Sequence, residues 1–251
     1  MQQEINVNEV FTKLQQSFIK SDKAQAYAKA RNINHAKINI GYNPISGTIY
    51  KGLKNCIIFP LKDKENNIVS FYGRNIESKS KDDRHFYTAN RKGLYPNYPS
   101  QETETLILTE SIIDSATLQL YTTYTSLALY GTNVLNEEHT EAVSQLKELE
   151  EIIFFFDGDQ AGRNGQESIV KQIQEMGKQL TFSFVETPEN EDINSLVQSH
   201  EPEILKYMIE NRKPFSPPAP EGVASTAPTK DQSFSFSTEK EKIEPQLKPQ
   251  P

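Results

Sequence analysis

Ile152-Ile153-Phe154-Phe155-Phe156-Asp157-Gly158-Asp159-Gln160-Ala161-Gly162 is the stretch on which the reading of this chain turns. Five apolar residues in a row read as a strand buried in the interior of a sheet. A strand that ends in Asp-Gly-Asp sets two carboxylates side by side at its carboxyl end. Carboxylates held that close repel, and burial raises their pKa unless a cation shares them. Mg²⁺ or Mn²⁺ suits such a place, because both prefer carboxylate oxygens and keep water for a phosphate ligand. Either ion can polarise a phosphoryl oxygen during an in-line displacement.

The same rhythm continues on both sides. Residues 105–109 read as a strand, 112–121 as a helix, and 126–130 as a strand ending at Gly131-Thr132-Asn133. Residues 137–149 read as a helix capped by Asn136, 161–176 as a helix closed by Gly177, and 180–185 as a strand. Segments 192–199 and 203–211 close the chain helically. Strands alternating with helices of this length predict an α/β fold, a parallel sheet with right-handed crossovers. Ligands of such sheets sit beyond the carboxyl ends of the strands. Glu110 ends the 105–109 strand and joins Asp157 and Asp159 as a candidate metal-site acid, although a solvated acid at a helix start reads the same way. Asp192, in Glu191-Asp192-Ile193-Asn194, is either a fourth metal-site acid or a simple helix N-cap. Two other motifs fail on their own residues. A calcium loop needs ligands where Ala161 and Ser168 stand, and a dehalogenase-like phosphatase needs Thr or Val where Ala161 stands.

Residues 1–100 form a different unit, a small α+β subdomain. Residues 7–31 read as helical from Val10, Leu14, Phe18 and Ile19. Gly41, Asn43, Pro44 and Gly47 break the pattern, and two short apolar runs around 57–61 and 68–72 read as a hairpin. Lys and Arg exceed Asp and Glu by 8 over residues 1–100, fall short by 15 over 101–212, and balance over 213–251. A basic half beside an acidic half suits an anionic polymer held next to a cation-binding cluster. Charge kept for solubility is the plainer alternative. Residues 213–251 are rich in Pro, Ser, Lys and Glu and are expected to be a disordered tail. The single cysteine, Cys56, leaves no intrachain disulfide framework and no multi-cysteine zinc site. No apolar run approaches the ~20 residues of a membrane span. The first residues carry no secretory pattern, so the expectation is a cytoplasmic protein.

Four motifs in order carry a resemblance: Thr109-Glu110-Ser111-Ile112-Ile113-Asp114, Leu129-Tyr130-Gly131-Thr132-Asn133, Phe156-Asp157-Gly158-Asp159-Gln160-Ala161-Gly162 and Glu191-Asp192-Ile193-Asn194. Together they resemble a Toprim domain. Upstream, Tyr27-Ala28-Lys29-Ala30-Arg31-Asn32-Ile33, Gly41-Tyr42, the hairpin through Gly73-Arg74, Arg84-His85-Phe86-Tyr87 and Lys92-Gly93-Leu94-Tyr95 resemble the basic subdomain of bacterial-type DNA primases. The resemblance covers approximately residues 20–200. It implies a Toprim-type parallel sheet flanked by helices over 101–212. It implies Glu110, Asp157 and Asp159 as metal-site acids, Asp192 as an auxiliary one, and Mg²⁺ or Mn²⁺ as cofactor. Arg74, Arg84 and Lys92 would face the template strand or the nucleotide phosphates, a setting in which Arg forks interleaved with Tyr and Phe fit a backbone-tracking groove. His85 reads equally as a packing residue or a contact.

The activity so implied is primase-like nucleotidyl transfer, making short RNA primers on single-stranded DNA from NTPs. The zinc-binding and helicase-interaction domains of such primases have no counterpart in these residues, so a helicase or a separate zinc-binding protein is the expected partner. A Toprim nuclease and a non-catalytic nucleic-acid-binding accessory protein of a replication or mobile-element system are the alternatives. A topoisomerase would need a further domain bearing a tyrosine nucleophile.

Overall fold

The computed structural model of the chain describes residues 6–78, 84–89, 91–130, 135–158 and 160–215, the stretch 160–164 by its backbone only. Chain order is α1 (Val7–Ile19), α2 (Asp22–Ala30), β1 (Gly41–Asn43), a 3₁₀ turn (Lys51–Leu53), β2 (Cys56–Lys62), β3 (Ile68–Asn75) and β4 (His85–Tyr87). There follow β5 (Thr105–Thr109), α3 (Ile112–Tyr121), β6 (Thr125–Ala128), α4 (Glu137–Gln145), β7 (Glu151–Phe155), α5 (Gln160–Glu175), β8 (Thr181–Phe184), α6 (Ile193–Ser199), α7 (Glu203–Glu210) and β9 (Lys213–Pro214).

The expected helix over 7–31 is two helices. Ser21 stops the first and caps the second, its side chain accepting from the amide of Ala24 at 3.2 Å, because a serine hydroxyl satisfies an orphan N–H that helix continuation would leave to the backbone. The expected hairpin is present, with Phe59 opposite Tyr72 and Ile57 opposite Arg74. It forms the middle of a four-stranded antiparallel sheet in the order β1-β2-β3-β4.

The second sheet runs β6-β5-β7-β8-β9. Its first four strands are parallel, in register from Thr105 opposite Glu151 to Thr109 opposite Phe155. Successive residues of a strand point to opposite faces, and here both faces are covered. Leu106, Leu108, Ile152 and Phe154 pack with Ala142 and Val143 of α4 and Ile169 and Ile173 of α5. Ile107, Ile153 and Phe155 pack with Leu118 of α3, Ile193 and Leu196 of α6, and Leu205 and Ile209 of α7. A strand buried on both sides has no polar positions to alternate, which is why β7 reads as an unbroken apolar run.

The first residues of the tail expected from residue 213 belong to the second sheet. Lys213 and Pro214 pair antiparallel with Phe184 and Ser183, and the amide of Phe215 donates to the carbonyl of Phe182 at 2.8 Å. Proline is tolerated there because β9 is an edge strand. Phe215 also packs on Phe154, giving a polar-looking stretch an apolar anchor. The rest of the expected tail, 216–251, lies outside the described residues.

The described residues cluster as one compact unit. The two sheets lie on either side of residue 100, yet a core cluster bridges them: Tyr42, Ile57, Phe59 and Tyr72 of the antiparallel sheet pack with Ile112, Ile113, Ala116 and Leu120 of α3. Burying α3 from both sides sets the two halves against each other and fixes the cleft between them.

A cleft with an acidic and a basic wall

The acidic wall is built at the carboxyl ends of β5 and β7. Glu110 leaves β5, and its Oε1 accepts from the amide of Asp157, the second residue beyond β7, at 3.1 Å. The two acids therefore stand beside each other at adjacent strand ends, as the strand pattern requires. Asp192 reaches the same place from another direction. It caps α6, its Oδ1 accepting from the Ser195 amide at 2.6 Å, and it lines the same cleft as Asp157. The N-cap reading of Asp192 is the one observed, and the cap leaves it lining the cleft.

Gly158 makes this convergence possible. A Cβ on it would lie 2.1 Å from the carbonyl oxygen of Pro188 and 2.8 Å from that of Thr187. The loop leading to Asp192 crosses that close, tied by the Gly158 amide to Glu191 at 3.2 Å and the Thr187 hydroxyl to Phe156 at 2.6 Å. Asp159 lies outside the described residues.

Asp114 was quoted in the sequence motif but given no role. It is 3% exposed and lines the cleft from the first turn of α3. Its oxygens accept from the Ser111 hydroxyl and from the Asn194 amide at 3.2 Å. Burial pushes its carboxyl well above the usual range, and the charges of Asp192 and Asp157 push it the same way. An acid in the first turn of an otherwise apolar helix was the signal for it.

Asn194, fully buried, ties the walls together. Its side chain donates to the carbonyl of Arg31 at 2.9 Å and to the Thr117 hydroxyl at 3.0 Å, and accepts from Arg31 Nη1 at 2.9 Å. Arg31, at the end of α2, also lies 5.3 Å over the Tyr27 ring. Neither residue was singled out from sequence, because a contact across some 160 positions leaves no local pattern.

The basic wall comes from the antiparallel sheet. Arg74 of β3, Arg84 just before β4 and Arg31 line the cleft with Asp114, Asp157 and Asp192, around a volume of about 470 Å³. Lys92 stands apart. It is exposed, does not line the cleft, and its backbone is bound by the Ser70 side chain. His85 is bonded to Arg74 and Tyr72 and lines the cleft.

Among the described residues, no three His, Cys, Asp or Glu side chains gather closely enough to hold a metal ion. The donors nevertheless fit a hard divalent cation in kind. Glu110 and Asp157 are acids at adjacent strand ends, Asp157 and Asp192 line one cleft, and the charges of these last two add to the burial that shifts Asp114 upward. Opposed guanidiniums and carboxylates across one cleft can accept a phosphate on one side and a cation on the other. Among the described residues, no helix is long and apolar enough to cross a membrane.

Residues 107–197 match the family model described as Toprim-like. The DNA primase of Buchnera aphidicola subsp. Acyrthosiphon pisum is 27% identical over 177 residues, 66% of this chain and 30% of the relative. That of Pseudomonas aeruginosa is 28% identical over 183 residues, 66% of this chain and 26% of the relative. The chain thus spans about 26–30% of the length of these curated relatives. Among solved structures, the Aquifex aeolicus primase (zinc-binding and RNA polymerase domains) superposes with a TM-score of 0.69 at 22% identity, covering 83% of this chain and 60% of that one. A DnaG primase catalytic domain bound to single-stranded DNA gives 0.64 at 20% identity, covering 82% of this chain and 77% of that one. At these identities the structural matches establish the fold.

Proposed function

Because residues 107–197 match a Toprim-like family model and the chain has the fold of the primase catalytic core, we propose that it is a primase-like nucleotidyltransferase that makes short RNA primers on single-stranded DNA. In this reading the 3′-hydroxyl of one nucleotide attacks the α-phosphorus of an NTP. The new P–O bond forms as the bond to pyrophosphate breaks, and the hydroxyl proton leaves to solvent. Mg²⁺ or Mn²⁺, held by Glu110, Asp157 and Asp159 with Asp192 beside them, would supply the positive charge that two-metal phosphoryl transfer requires.

The chain's own residues do the rest. Arg31, Arg74 and Arg84 bind and orient phosphates from the opposite wall, since guanidinium forks match phosphate oxygens. Glu110 holds the backbone of Asp157 in place. Asn194 ties Arg31 to the acidic wall, so that the distance between phosphate and carboxylates is fixed rather than left to side-chain freedom. A helicase or a zinc-binding protein that recognises template belongs to the same proposal.

The observation that carries this reading is the single cleft lined by Asp114, Asp157 and Asp192 together with three arginines. The test is incubation of the full chain with single-stranded DNA, NTPs and Mg²⁺ or Mn²⁺. Short RNA products that fall more than about a hundredfold in Asp157→Ala are expected. Absence of product at high protein concentration, or product insensitive to that substitution, removes the proposal. Metal-dependent nicking of plasmid DNA in its place would point to a nuclease.

A further inference from the structure

Two histidines of this chain have both ring nitrogens engaged, in opposite senses. In His139, Nε2 lies 2.9 Å from the carbonyl oxygen of Ala128, and Nδ1 accepts from the Asn136 amide at 3.4 Å. A carbonyl only accepts, so the proton sits on Nε2. In His85, Nε2 lies 2.6 Å from Nη1 of Arg74, and Nδ1 lies 2.8 Å from the Tyr72 hydroxyl. A guanidinium only donates. Nε2 of His85 is therefore bare, and its proton sits on Nδ1, donated to the Tyr72 oxygen. An imidazolium there would set N–H against N–H.

Arg74 is the group this arrangement serves. It is 8% exposed, lines the cleft, and its buried Nε has no hydrogen-bond partner. Arg31 and Arg84 line the same cleft, so three like charges face a common space. An unrestrained arginine would turn away, and holding its side chain costs rotamer freedom. A carboxylate partner would hold it but neutralise it. A neutral imidazole holds it and leaves the charge. Tyr72 makes the anchor rigid, being 1% exposed and packed against the rings of Phe59 and Tyr87.

We propose that His85 is a positioning residue that, as a neutral imidazole protonated at Nδ1, ties Arg74 to the buried Tyr72 hydroxyl and presents the guanidinium's undiminished charge to a phosphate group in the cleft. The inference rests on the proposed function for the origin of that phosphate, an NTP or the template strand. Burial, and then the charges of Arg74, Arg84 and Arg31, lower the His85 pKa to about 4, the direction the geometry demands. His85 is itself exposed and Asp114, Asp157, Glu191 and Asp192 line the same cleft, so it is the Arg74 contact that keeps Nε2 bare.

Nitrogen NMR of the full chain with labelled histidine reads the tautomer directly at pH 7. His85, assigned by its loss in His85→Gln, is expected protonated at Nδ1 and bare at Nε2, and His139 the reverse. Calorimetry with inorganic triphosphate and with a thymidine oligonucleotide reads the consequence. His85→Gln offers Arg74 an acceptor and Tyr72 a donor, and should bind within about threefold of the parent. His85→Phe keeps a ring but no acceptor, and should bind about tenfold more weakly or worse. A loss confined to the triphosphate assigns the phosphate to a nucleotide, and one confined to the oligonucleotide assigns it to the template. Undiminished binding by His85→Phe, an Nε2-protonated or charged His85 at pH 7, or failure of the parent to bind either ligand overturns the proposal. If His85→Phe does not fold, the tautomer and the His85→Gln affinity decide. None of these readouts needs primer synthesis, so failure of polymerisation alone leaves them standing.

Discussion

The acidic and basic walls of one cleft are built by different means. Acidic side chains take their places from backbone position: a parallel strand ends, and Glu110 or Asp157 follows. The arginines take theirs from partners: Arg74 from His85, Arg31 from Asn194 and Tyr27. Strand ends are a property of a few consecutive residues, whereas pinning is a property of contacts made across the whole chain. The first wall should therefore fail when its backbone is forced apart, and the second when a partner is removed.

The sharpest way to break that contrast is at Gly158. A methyl group there meets the backbone of the 187–188 loop, which cannot swing aside as a side chain would. Gly158→Ala should cost about 3 kcal/mol or more, with overpacked backbone at the upper end of its usual range, and should lose cation binding as Asp192 moves away. A variant with the parent's urea midpoint and full Mn²⁺ affinity would show that the acids do not depend on this crossing.

In pH response the two halves are alike, each holding a histidine whose pKa is lowered to about 4, His85 in the basic one and His139 in the acidic one. Burial in the half that carries the acids lowers the His139 pKa to about 4 from an ordinary 6.5, Arg91 adding to it and the Ala128 bond opposing it. The unfolded chain takes up this proton first as pH falls, so stability is complete above 6.5 and declines down to about 4. The loss approaches about 3 kcal/mol at most. Urea unfolding at pH 7 and pH 4.5 should show a fall that His139→Gln reduces. Equal pH dependence in both proteins would contradict the buried neutral ring.

Pinning is tested more gently at Asn194. Asn194→Ala strips Arg31 Nη1 and Thr117 of a partner and should cost about 1–3 kcal/mol. The Asn194 amide bond to Asp114 is left in place, so phosphate affinity should fall further than Mn²⁺ affinity. An equal fall in both would mean the walls are not separately held. The smallest effect is expected at Lys92, exposed and outside the cleft. Lys92→Ala should change oligonucleotide affinity by less than about threefold, the scale of one screened surface charge. A larger fall would extend the basic wall beyond the three arginines.

What could be read in advance follows the same division. Continuous apolar strands, helix caps at Asn136 and Asp192, and the Asp-Gly-Asp turn are local, and they placed Glu110, Asp157 and Asp192 correctly relative to the parallel sheet. The break at Ser21 was missed because apolar spacing continues across it on both sides. The edge strand at Lys213–Pro214 was missed because a proline-rich stretch gives no sign that Phe215 packs against Phe154. Arg74 and Arg84 were placed through family resemblance, since single surface-like charges carry no spacing signal. Arg31, Asn194 and the buried Asp114 owe their roles to tertiary contacts that a linear reading does not contain.

The central claim is that Glu110 and Asp157, with Asp159 and Asp192, serve a shared divalent cation. Anomalous diffraction from Mn²⁺-soaked crystals of the chain tests it most directly. A Mn²⁺ peak within coordination distance of Glu110 and Asp157 oxygens, lost in Glu110→Gln with Asp157→Asn, is the predicted result. Mn²⁺ bound elsewhere, or density at the strand ends that survives both substitutions, would contradict it.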